Sequence, residues 1–134
     1  MIRNMFYFAD LDYRMLINNK DSLGLEDSCL VLCQQMIEKC IKGLLRETTG
    51  EYPEKHNLSL LIRLYDKTSK FKKYRNLCTT LTDCYYERRY ESDSYYEYDL
   101  DEYNELVSES IEFYKKLLIE SNDDTAKEAL SRIL

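Results

Sequence analysis

Cys29-Leu-Val-Leu-Cys-Gln-Gln-Met-Ile-Glu-Lys-Cys-Ile-Lys-Gly-Leu-Leu45 decides the fold class. Apolar side chains recur at Cys29/Leu30, Cys33, Met36/Ile37, Cys40/Ile41 and Leu44/Leu45. That spacing of three and four residues is the period of an amphipathic helix, sustained here over about five turns. Gln34, Gln35, Glu38, Lys39, Lys42 and Arg46 fall on the opposite side, so this reading gives them to solvent. Thr48-Thr-Gly50 closes the helix, with Gly50 suited to a left-handed C-terminal position.

The same period extends in both directions. Met5, Phe8, Ala9, Asp12, Met15 and Leu16 form an earlier stripe over about 4–18, on which Asp12 is the single polar residue. Gly24 breaks the chain between these two helices. After Pro53, Asn57 is placed to cap a third helix carrying Leu58, Leu60, Leu61, Leu64 and Tyr65. A polar stretch from Asp66 to Lys73 reads as a loop, and Tyr74, Leu77, Cys78, Leu81 and Tyr85 give a fourth helix. Residues 90–100 show no sustained period and read as an acidic, Tyr-rich loop. From Asp101 the period resumes through Leu117/Leu118, Ser121-Asn-Asp-Asp124 looks like a stop and a cap, and a short terminal helix follows. The expectation is one all-α domain over 1–134, an up-down bundle of about five helices.

Composition agrees with that class. A chain of 134 residues suits one domain, burying about two-thirds of its unfolded surface and exposing roughly 7,400 Å². Three Gly and one Pro argue against turn-dense β architectures and Gly-rich phosphate loops. No run approaches about 18 uncharged apolar residues, and Arg3, Asp10, Asp12 and Arg14 interrupt any secretory signal. Five Cys is an odd number; Cys29, Cys33 and Cys40 lie on the apolar stripe and read as reduced core thiols of a cytoplasmic protein. Cys78 and Cys84 are too widely spaced for a zinc knuckle, so neither a metal nor an organic cofactor is expected.

Charge is unevenly spread. Residues 1–82 hold 13 Lys+Arg against 10 Asp+Glu (+3), and residues 83–134 hold 6 against 15 (−9). Nucleic-acid contact would therefore be local rather than a property of the whole surface. Arg88, Arg89 and Tyr90, beside Tyr85 and Tyr86, combine guanidinium forks with aromatic faces, the chemistry that holds phosphates and bases. Lys39 and Lys42 make a second, weaker basic feature. Arg63, Lys67, Lys70, Lys72, Lys73 and Arg75 make a third, with a solvated loop as its plainer reading. For Arg88 and Arg89 the plainer reading is an ion pair to the acidic 91–102 stretch. Tyr95-Tyr-Glu-Tyr98 suits docking onto a basic partner and equally suits a disordered, solubilising loop.

Three pieces in order carry a family resemblance: Cys33-Gln-Gln-Met-Ile-Glu-Lys39 with Lys42, His56-Asn-Leu58, and Tyr85-Tyr-Glu-Arg-Arg-Tyr90. Over roughly residues 3–120 the chain resembles the HEPN domain family of small helical bundles. The resemblance implies a homodimer, often paired with a minimal nucleotidyltransferase in a toxin–antitoxin-type system, and a nucleotide- or RNA-related role. Some members are metal-independent ribonucleases using Arg, four to six residues, then His. Here the only His is His56, and nine residues separate it from Arg46. Arg89-Tyr90 is followed by Glu91 where related members often carry Pro. The resemblance thus points to a binding module without a catalytic pair, and to a structural role for His56. The alternatives are a divergent ribonuclease pairing His56 with Arg88 or Arg89, and a purely structural scaffold.

Overall fold

The computed structural model describes residues 3–89 and 95–133. Six helices follow one another: α1 (Met5–Asn19), α2 (Glu26–Thr49), α3 (Leu58–Tyr65), α4 (Arg75–Arg89), α5 (Leu100–Ile119) and α6 (Asp124–Ile133). The expected bundle of about five helices is a bundle of six, with no strand among the described residues. A single 3₁₀ turn, Lys72–Tyr74, leads into α4 from the stretch read as a loop.

The ends of the helices lie where their residue types put them. Asn4 Oδ1 accepts from Tyr7 N at α1, and Asn57 Oδ1 accepts from Leu60 N at α3. Gly50 stands just past α2 with φ of +90°, a conformation that only glycine adopts without strain. Asp99 and Glu102 form a reciprocal capping box on α5. Asp123 Oδ1 accepts from Thr125 N at 2.8 Å, the cap expected before the terminal helix.

The 24-residue α2 is the axis, packed by α1, α3, α4 and α5, while α6 lies against α1 and α5. Met36, Ile37, Ile41 and Leu44 are fully buried on it, facing Leu16, Leu58, Leu81, Phe113 and Leu117 of the surrounding core. The exposed surface, 7847 Å², is near the roughly 7,400 Å² expected of a compact chain of this mass. A buried Asp10 ties α6 to α1, receiving Arg14 and Arg132 at 2.6 Å each.

Two features of this core have measurable consequences. A Cβ added at Gly43 would lie 2.8 Å from Phe6 Cζ, so α1 and α2 meet closely there because α2 has no side chain at that point. Gly43→Ala gains about 1 kcal/mol in helix propensity but overpacks a buried ring, which costs about 1–3 kcal/mol. Urea denaturation should show a net loss of about 1 kcal/mol. In a Phe6→Leu background the same step should become neutral or stabilising. All five cysteines are buried free thiols, and burial pushes Cys33 and Cys78 up to about 12. A thiol reagent at pH 8 should therefore leave the native protein unlabelled and modify all five sites only in denaturant.

Candidate functional site

α2 is buried nearly all round, and this corrects the reading of its polar side. Gln34, Glu38 and Lys42, expected at the surface, are buried. They lie four residues apart on one flank, beneath the connection of residues 50–57 that returns from α2 to α3. Enclosed polar groups must find partners within the protein. Gln34 Nε2 donates to Glu38 Oε1 and to the backbone oxygen of His56, both at 2.9 Å. Lys42 Nζ donates to Glu38 Oε2 at 3.0 Å and lies 5.5 Å from the Tyr52 ring. Arg46 covers the same ring at 4.7 Å.

Glu38 also fixes His56. The imidazole Nδ1 lies 3.1 Å from each carboxylate oxygen, so Nδ1–H donates to Glu38 and Nε2 is turned away from it. The His56 side chain is 49% exposed and stacks on Tyr85 at 5.2 Å with ring planes 25° apart. Arg89 extends over the same Tyr85 ring at 4.5 Å. Tyr86 meets Tyr85 edge-on and is itself 48% exposed to solvent. The structure thus gathers His56, Tyr85, Tyr86 and Arg89 above a buried base of Glu38, Gln34 and Lys42.

Arg88 goes elsewhere. Successive helical positions diverge by about 100°, and the Arg88 side chain is only 1% exposed. It pairs with Asp27 at 3.0 Å and Glu87 at 3.1 Å, donates to the Tyr96 carbonyl, and lies over Tyr95 and Tyr98. The plainer expectation of an internal ion pair describes it, though the carboxylates come from α2 and α4. Lys39 lies on the far flank of α2 and bridges to Asp12 of α1 at 2.7 Å. That bridge explains the one polar residue on the first stripe: burial pushes the Asp12 carboxyl up, and Lys39 opposes the shift. Tyr90 lies outside the described residues, as do 91–94 of the acidic loop.

In the basic run, Lys70 pairs with Glu120, Lys73 with Glu112 at 2.9 Å, and Arg75 donates to Ser69 at 2.9 Å. Arg63, Lys67 and Lys72 remain exposed, as a solvated segment would be. No group of three or more His, Cys, Asp or Glu among the described residues is placed to hold a metal. Sequence reasoning missed Glu38 as the hub. Its signal was the Gln34, Glu38, Lys42 ladder at four-residue spacing, on a helix whose other flanks were already apolar.

The sequence profile of the HEPN domain matches residues 11–122. The chain belongs to the HEPN family. No curated protein and no solved structure gives a match. Membership places this HEPN domain among nucleotide- and RNA-related modules, and the three pieces that carried the resemblance converge on one flank of it through Glu38, His56 and Tyr85. Among the described residues no helix is long and apolar enough to cross a membrane.

Removal of one member of a buried ion pair leaves the other uncompensated, at about 3–5 kcal/mol. Glu38→Ala should reduce stability on that scale in chemical denaturation. Glu38→Ala with Lys42→Met, which removes both charges, should recover most of it.

Proposed function

We propose that this HEPN domain is a non-catalytic module that binds nucleotide or RNA on the flank built from His56, Tyr85, Tyr86 and Arg89. It acts as a cytoplasmic homodimer with a nucleotidyltransferase in a two-component, toxin–antitoxin-type system. The observation that carries the binding reading is the Arg89 guanidinium over Tyr85, beside the half-exposed Tyr86. A guanidinium suits phosphate and a tyrosine face suits any base, and each element here is set on a rigid helix. Lys39, Lys42 and Arg88 contribute through structure, since each is engaged by a carboxylate. The buried free thiols favour a reducing compartment. Phe8 and Met15, exposed along the outer side of α1, favour self-association.

A second reading draws on one observation. His56 is held by a carboxylate through Nδ1, the arrangement that orients a general acid–base imidazole, and Arg89 lies over the same Tyr85. A ribonuclease of this design would lose RNA cleavage in His56→Ala. RNA left intact by the wild-type protein discards it.

The binding reading is tested by fluorescence anisotropy with labelled oligoadenylate and by competition with ATP. Arg89→Glu with Tyr86→Ala should weaken binding about tenfold or more, because one stacked base contributes about 1–3 kcal/mol. The salt slope should fall by about one for each phosphate that the variant no longer neutralises. Unchanged affinity removes this flank from the site, and absence of any binding favours a structural scaffold.

A further inference from the structure

A different end of the bundle carries chemistry that the nucleotide reading does not use. The turn before α2, the first turn of α2, residues 95–99 and the first turn of α5 surround a cleft of about 360 Å³. Two of its lining side chains are large and open to solvent: Leu100 is 58% exposed and Tyr95 46%. Large side chains at that exposure beside a cleft are of the kind that marks contact surfaces.

The cleft is also acidic. Glu26, Asp27, Glu97 and Asp99 line it, against the single guanidinium of Arg88. The N-termini of α2 and α5 open here, but each offsets only about half a charge. Arg88 shows in cis what the wall accepts: its guanidinium lies 4.5 Å from the Tyr95 ring and 5.1 Å from Tyr98, with Asp27 at 3.0 Å. Aromatic faces beside carboxylates are the setting in which a cation is held most strongly at a surface.

We infer that this end docks a basic segment of a partner polypeptide, in which Arg or Lys alternates with apolar side chains. Charge complementarity selects that occupant. RNA would bring phosphates against four carboxylates, and a second copy of this same surface would repel itself. The basic 63–75 run of another copy fits less well, because Lys70 and Lys73 already bind Glu120 and Glu112.

The test is fluorescence anisotropy with a short labelled peptide of alternating Arg and Leu, at low and moderate salt, on the full chain. The peptide should bind. A Glu/Leu peptide should not bind, and an Arg/Ser peptide should bind more weakly. Glu26→Gln with Glu97→Lys should weaken the Arg/Leu peptide about tenfold, while Lys67→Glu, before the opposite end of α4, should leave it unweakened. Circular dichroism checks that the variant is folded, and Leu100→Ser supplies an independent, charge-neutral variant that should also weaken binding. The proposal is overturned by no binding at low salt, by equal binding to the Glu26/Glu97 variant, or by equal binding of the Glu/Leu peptide. Sedimentation showing that the variant no longer self-associates would reassign the surface to a second copy and overturn it as well.

Discussion

One buried carboxylate, Glu38, determines how the rest of the domain is arranged around the central helix. Because α2 is enclosed on nearly every side, a charge at its middle has little access to bulk water. Gln34, Lys42 and His56 supply the three partners it needs, and two of those contacts come from α2 itself. The third comes from the connection that follows, so this polar-rich segment is drawn back over the helix instead of extending into solvent. His56 is then positioned against Tyr85, and the last turns of α4 are set by that contact. The grouping of His56, Tyr85 and Arg89 on one flank is thus a consequence of satisfying one interior charge.

Much of this was legible in the residues. The helical period, the Asn57 cap, the Gly50 terminus and the Asp-rich stop near Asp123 are local signals, and local geometry realises each. The solvent side assigned to α2 was not legible, because periodicity sees only one partner surface. A helix packed by four neighbours has several apolar flanks and a narrow exposed strip. Its polar ladder was therefore free to be interior, with only the regular four-residue spacing of Gln34, Glu38 and Lys42 to suggest it. Asp12 was the mirror case: a polar residue visibly on an apolar stripe, explained by a lysine 27 positions away.

The adjacent arginines show the same limit at the scale of one residue. Arg88 and Arg89 read alike as a basic, aromatic-flanked pair, and nothing in the chain order separates them. The rotation of the helix does. Arg88 turns inward to join α4 to the start of α2 and to the tyrosines before α5, whereas Arg89 turns toward Tyr85. One becomes part of the frame and the other part of a surface. The acidic character of the C-terminal half follows a similar division, with Glu112 and Glu120 bound to lysines, Asp99 capping α5 and Glu97 lining the cleft.

The clasp between Asp10 and Arg132 also sets an order on assembly during synthesis. The two residues are 122 positions apart, so the contact waits until α6 has left the ribosome, long after α1 and α2 are able to pair. Until then the carboxylate has only Arg14 beside it on its own helix. The growing chain therefore holds a core whose first helix lacks one neighbour, and the emergence of α6 is what supplies it.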